Sequence, residues 1–321
     1  MTTVSFFVPV QELMVKVEAR MRAQSNGQHP DLQAALSHLL SAGGKRVRPT
    51  VALLSAGLLD ADNDRSITLA AAVELLHTAT LVHDDLIDGA LLRRGNPTLN
   101  AEWSPAATIL TGDFIFARAA ELAANTESIE VMRMFAKTLS TVVNGELTQI
   151  FKSKWLFSRE NYFERIYAKT ASMFELAAAA PVYLSDKDED VCEAMRTYGY
   201  EIGMAFQIVD DILDFTSDTQ ELGKPVASDL RQGLITLPAL NYFEDQPDAP
   251  ALLALTKSVH PSDELMDRVV RAIRESGAIH KAMDEAVQFV QRGVEALSIM
   301  PPSPERQALE NLATYVVDRD I

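Results

Sequence analysis

Apolar residues recur at three- and four-residue spacing along almost the whole chain, and apolar–polar alternation never lasts long enough for a strand. That period predicts helices over Pro9 to Gln24, Asp31 to Ser41 and Pro49 to Leu59, separated by Asn26-Gly27 and Gly43-Gly44. Ile67 to Asp88 reads as one long helix, strongly apolar, with Asp64 or Ser66 as its cap. A loop at Gly95-Asn96-Pro97 follows, then periodic stretches near 104–123, 127–153, 160–184 and 188–216. Gly223 to Gly233 reads as a polar loop; shorter helices fill the remainder, with a Pro301-Pro302 break before the last. No repeat, low-complexity tract or shift of composition marks a linker. The expectation is a single all-α domain over residues 1–321, with the two longest apolar helices at its centre.

Composition narrows the function more than the fold. With 321 residues, 47% of them hydrophobic, the chain can bury a large core. Its net charge of −16, from 29 basic and 45 acidic residues, argues against a nucleic-acid binder or a protein of anionic membrane surfaces. The single cysteine, Cys192, leaves no internal disulfide and no thiolate metal centre, which fits a reducing cytoplasm. The apolar patch Val4 to Val8 has no basic leader, so neither a signal peptide nor an anchor is expected there. The longest apolar run, Ile67 to Val82, is interrupted by Glu74 and His77 and falls short of the ~20 residues of a bilayer span. No stable membrane insertion is expected.

Two acidic clusters carry the chemistry. Asp84-Asp85-Leu86-Ile87-Asp88 and Asp210-Asp211-Ile212-Leu213-Asp214 share the spacing Asp-Asp-x-x-Asp, and each ends an apolar run. Residues four apart share a helix face, so Asp84 lies with Asp88 and Asp210 with Asp214. Carboxylates set among Leu, Ile and Val need cations. Oxygen-only donors suit Mg²⁺, which binds through one or two carboxylates and substrate phosphates. Two such clusters would hold a diphosphate through metal ions. One copy in an acidic protein is as often surface decoration; two, each in an apolar helix, favour function.

Basic groups accompany them. Gly43-Gly44-Lys45-Arg46-Val47-Arg48-Pro49 is a glycine turn bearing three cations before a helix, suited to clamping a phosphate. Arg93-Arg94-Gly95 follows Asp88 closely, and Lys224 lies in the loop after Asp214. Lys169-Thr170 interrupts an apolar stretch, and a lysine there calls for an anion or a snorkelling path. His77 stands two turns before Asp84 on nearly the same face, as a core histidine or a substrate contact.

Taken together these stretches resemble the trans-type isoprenyl (polyprenyl) diphosphate synthases, the polyprenyl synthetase family. The matching segments run in order: Gly43 to Pro49; Glu74-Leu75-Leu76-His77; His83 to Asp88; Leu92 to Thr98; Gly112-Asp113; Gly145 to Gln149; Lys169-Thr170-Ala171; Gln207 to Asp214; Gly223-Lys224-Pro225; and Asp229-Leu230. The resemblance implies a helical bundle of isoprenoid-synthase type around a deep central cavity, the two aspartate motifs facing each other across its mouth. It implies Mg²⁺, three ions per active site, on a metal set of Asp84, Asp85, Asp88, Asp210, Asp211 and Asp214, the last acting through water. Arg93, Lys169, Gln207 and Lys224 would bind the allylic diphosphate, and Lys45, Arg48, His77 and Arg94 the isopentenyl diphosphate. Asp84, Asp85, Asp88, Lys169, Thr170, Gln207 and Asp210 form the implied catalytic group, with Thr170 and Gln207 offering oxygens to an allylic carbocation. A homodimer is also implied. In one respect the chain departs from the pattern: Gly233 is followed by Leu234 where many members have lysine.

Chain length is read from positions four and five before Asp84, Thr80 and Ala79, where short-chain members usually carry an aromatic. Small residues leave the path open, and each added isoprene unit buries apolar surface at ~25 cal/mol per Å². The expected product is hexaprenyl to decaprenyl in class, over a floor drawn from Leu76, Met134, Phe135 and Leu139. The alternatives are a short-chain geranylgeranyl or farnesyl diphosphate synthase, a terpene cyclase, and a non-catalytic subunit of a heteromeric synthase. Lys45, Arg48 and Arg94 argue against a cyclase, which needs no isopentenyl diphosphate site. Two intact aspartate motifs argue against a non-catalytic subunit.

Overall fold

The computed structural model describes residues 5–27, 29–41, 44–93, 95–151, 158–216, 226–258 and 261–319. These are almost entirely helical, in agreement with the all-α expectation. The helices are α1 (Gln11–Ala23), α2 (Pro30–Ser41), α3 (Val47–Leu58), α4 (Asn63–Ile87), α5 (Leu99–Glu102), α6 (Pro105–Ala124), α7 (Ile129–Phe151), α8 (Arg159–Ile166) and α9 (Ser172–Ala179). After them come α10 (Glu189–Thr216), α11 (Ser228–Arg231), α12 (Leu237–Asp245), α13 (Pro250–Lys257), α14 (Asp263–Glu275), α15 (Ala278–Ala296) and α16 (Pro304–Val317). Two-residue strands β1 (Leu92–Arg93) and β2 (Asn96–Pro97) pair antiparallel where a loop was expected. Gly95, at φ +78°, makes that reversal possible.

The chain folds into two compact units, each drawn from segments that are far apart in sequence. The first comprises 1–140, 173–199 and 296–312; the second comprises 141–172, 200–295 and 313–321.

In the first unit α4 packs against α1, α3 and α6. Its cap is Asp62, whose side chain accepts from the Arg65 amide at 2.9 Å, so the helix starts earlier than Asp64 or Ser66 would place it. Residues Ile67 to Leu76 are buried without exception, as an all-round apolar helix must be. By length and composition α4 could cross a bilayer, yet most of it is covered by its own neighbours. Glu74, which seemed to interrupt the apolar run, pairs inside the protein with Arg46 at 2.8 Å.

In the second unit Arg159 of α8 bonds to Asn241 at 2.8 Å on α12 and pairs with Glu285 on α15. The stretch expected as one helix over 160–184 is broken. α8 passes into a single π-helical turn over Tyr167–Ala171 before α9, and a 3₁₀ segment over Ala180–Leu184 closes it. The periodicity concealed this break, because a wide turn adds one residue without interrupting the apolar pattern.

Candidate functional site

Both aspartate motifs occupy helix C-terminal ends. Asp84 and Asp85 lie in the last turn of α4, with Asp88 as its C-cap, and Asp210, Asp211 and Asp214 lie in the last two turns of α10. The macrodipole places partial negative charge at that end, so carboxylates there are disfavoured unless cations join them. Within each motif the middle aspartate behaves differently from the outer two. Asp85 and Asp211 are buried, whereas Asp84, Asp210 and Asp214 are half-buried and Asp88 is exposed.

The inner pair is engaged by the protein's own donors. Arg93 donates Nε and Nη2 to Asp85 Oδ1 at 2.9 and 2.8 Å. Asp211 accepts from Tyr162 Oη at 2.8 Å on one oxygen and from Gln207 Nε2 at 2.8 Å on the other. Burial pushes the Asp211 carboxyl up to about 7, Asp229 adds to the effect, and the Gln207 and Tyr162 donors oppose it. Tyr162 is itself raised well above the usual phenol range by burial and by Asp211.

The outer carboxylates have other neighbours. Asp210 Oδ1 takes Arg319 Nη1 at 2.8 Å; the same guanidinium donates to the carbonyls of Val316 and Phe206 and lies 4.1 Å from the Phe206 ring centroid. Arg319 thus caps the end of α16, as a basic residue near a helix end should, and reaches the second motif as well. Asp214 accepts from the Ser228 amide, the Ser228 hydroxyl and the Asp229 amide at 2.9–3.2 Å, fixing the start of α11. Among the described residues no three His, Cys, Asp or Glu side chains converge on one point. Mg²⁺ binds through one or two carboxylates together with phosphate and water oxygens, and the outer aspartates can supply such carboxylates. The donor set fits.

The other expected residues fall as follows. Lys45 is exposed; Arg48 is half-buried with its guanidinium 5.0 Å from the Phe174 centroid; His77 is half-buried on α4. All three belong to the first unit with Asp84 and Arg93. Lys169 and Thr170 sit in the π-helical turn, Lys169 pairing with Glu146 at 3.3 Å and Thr170 donating to Gln207 Oε1 at 2.6 Å. Gly145 lets α7 approach that turn: a Cβ there would come within 2.5 Å of Ala168 Cβ. Gly112 likewise accommodates the His83 ring. Ala79 is wholly buried and Thr80 nearly so, with the Thr80 hydroxyl bonded to the His77 carbonyl at 2.7 Å. Leu76 and Phe135 are buried, Met134 and Leu139 half-buried. Arg94, Lys224 and Gly43 lie outside the described residues.

The family model described as Polyprenyl synthetase matches residues 29–273. The chain belongs to that family. Among similar polyprenyl synthetases, the octaprenyl diphosphate synthase of Haemophilus influenzae is 38% identical over 309 residues, covering 96% of this chain and 94% of its own. Heptaprenyl diphosphate synthase component 2 of Geobacillus stearothermophilus is 36% identical, covering 96% of each. Among solved structures, polyprenyl synthase from Caulobacter crescentus, complexed with calcium and isoprenyl diphosphate, has a TM-score of 0.91 at 35% identity over 99% of this chain and 98% of its own.

Sequence reasoning gives no role to Tyr162 or Glu146 of this polyprenyl synthetase; for Arg319 it weighs a fold over the cavity mouth and favours a helix cap, without the Asp210 pair. Tyr162 looked like one more aromatic on an amphipathic helix. Only the fold brings it to a carboxylate 49 residues away.

Proposed function

We propose that the chain is a chain-elongating trans-prenyltransferase, condensing isopentenyl diphosphate head-to-tail onto an allylic diphosphate and releasing a long-chain, hexaprenyl to decaprenyl, diphosphate. The observation that carries this reading is the pair of aspartate motifs, each at the negative end of a helix and each offering partly exposed outer carboxylates, in a polyprenyl synthetase. The outer aspartates Asp84, Asp88 and Asp210 would hold Mg²⁺, with Asp85 and Asp214 supporting them. When bound, Mg²⁺ would draw charge from the allylic diphosphate and ease its departure.

The chain's own residues account for the remaining steps. Lys169, Arg93 and Lys224 bind the allylic diphosphate and stabilise it as the C–O bond breaks and the electron pair leaves with the phosphate. Lys45, Arg48, His77 and Arg94 bind isopentenyl diphosphate through charge and hydrogen bonds. Thr170 and Gln207 present oxygens toward the allylic cation while the isopentenyl double bond forms the new C–C bond, and the released diphosphate accepts the proton then lost. Apolar walls including Ala79 exclude water. The small side chains at 79 and 80 support a long product.

We further propose a homodimer in a reducing cytoplasm. Val143, Leu147 and Ile150 are exposed at helical spacing along α7, with Phe151 beside them, an apolar stripe that a partner subunit would cover. The relative named as component 2 favours a second arrangement, a catalytic subunit needing an unlike partner. One experiment tests both points: the purified protein is sized in solution, then incubated with labelled isopentenyl diphosphate, farnesyl diphosphate and Mg²⁺. Products of six or more units from a dimer are expected. Products ending at four units would overturn the chain-length reading, and elongation only after adding an unlike subunit would establish the heteromer.

A further inference from the structure

We propose that Tyr162 is a positioning residue for this reaction, and that Asp211 serves it by orienting Gln207 instead of ligating a metal ion. This rests on the reading that Gln207 and Thr170 act at the allylic site. A helix turns about 100° per residue, so Asp211 points well away from Asp210, and only 3% of it is exposed. Both carboxylate oxygens are taken, one by Tyr162 Oη and the other by Gln207 Nε2, each at 2.8 Å. Among the described residues no lysine, arginine or histidine forms an ion pair with it. A carboxylate buried against neutral donors lowers stability compared with an apolar residue of similar size, so its place here calls for a role.

The role follows from the amide it holds. Gln207 lies one turn before Asp211 on the same face. With Nε2 committed to the carboxylate, the amide can turn only Oε1 toward Thr170, whose hydroxyl donates to it at 2.6 Å. Against the ionised carboxylate, the flipped amide would set oxygen against oxygen with no proton between them. Tyr162 in turn fixes the carboxylate. The chain Tyr162–Asp211–Gln207–Thr170 therefore determines which Gln207 atom faces the cation.

The π-helical turn explains how one segment supplies both ends of this chain. Eight residues along a regular helix would leave Tyr162 and Thr170 about 80° apart. The wide turn over Tyr167–Ala171 takes up roughly one residue, bringing the two side chains to the same side within about 20°. Both then meet α10.

The test compares Tyr162→Phe, Asp211→Asn and Asp210→Asn with the parent enzyme. Tyr162→Phe and Asp211→Asn should lower kcat roughly 10- to 100-fold while KM for isopentenyl diphosphate holds steady. Calorimetric Mg²⁺ affinity in the presence of inorganic diphosphate should stay within about twofold for both, yet drop about tenfold or more for Asp210→Asn. An Asp211→Asn loss of metal affinity equal to that of Asp210→Asn would make Asp211 a ligand and overturn the assignment. Full activity in Tyr162→Phe would remove the positioning role. Should Tyr162→Phe not fold, Thr170→Val and Thr170→Ser probe the other end of the chain: valine should show the same kcat loss, serine should restore it, and equal activities would refute the proposal. A parent enzyme inactive with every allylic diphosphate would instead refute the underlying function.

Discussion

Burying Asp211 gives it a measurable pH signature. Its folded-state pKa, about 7, lies above the ~3.9 of an unfolded aspartate. Its contribution to stability is therefore complete below ~3.9 and is lost as pH rises through about 7. Denaturant unfolding of the metal-free protein should show the parent losing stability relative to Asp211→Asn between those limits; parallel curves would contradict it. Arg319 has the opposite character, a cation that pairs with the second motif. Replacing it with glutamine should cost about 2 kcal/mol, through lost charged hydrogen bonds to a partly exposed partner. That cost should shrink in thermal melts with Mg²⁺ and diphosphate present, since another cation then compensates Asp210.

At the level of elements, close approaches matter as much as the helices themselves. Gly145→Ala would drive a methyl into Ala168, and overpacking of this kind costs about 1–3 kcal/mol. Because Glu146 and Lys169 flank that contact, the variant should lose kcat beyond what its stability predicts, measured by turnover well below its melting temperature. On α4, Ala79→Tyr places an aromatic where the product tail is proposed to pass. Chromatography of dephosphorylated products should show shorter chains, and an unchanged length would sink this reading of the wall. Helix existence was legible from periodicity because apolar stripes mark burial directly. The π-helical turn, the Asp62 cap and the short hairpin at Gly95 were not legible, since each depends on one or two residues whose local preferences several conformations satisfy.

Across the molecule, the motifs were readable because a carboxylate on an apolar helix is costly and therefore conspicuous. Their internal division of labour was hidden, because Arg93, Tyr162 and Arg319 declare themselves only when distant segments meet. The exposed apolar stripe of α7 belongs to the same class: its spacing suits a core helix, and only the fold leaves it uncovered. Leu147→Glu with Ile150→Glu should shift light-scattering mass toward the monomer, and an unchanged dimer would assign the stripe elsewhere.

The ion pair between Asp210 and Arg319 spans 109 residues of sequence. Synthesis proceeds from the N-terminus, so the second motif leaves the ribosome long before its guanidinium exists. Until then Asp210 sits at a negative helix end without that partner, and a nascent chain can fold its helices while this part of its charge balance is still missing. The Arg319 contact of the motif is thus timed by translation, and a message broken between Asp214 and Arg319 would encode both aspartate motifs without the guanidinium that pairs with Asp210.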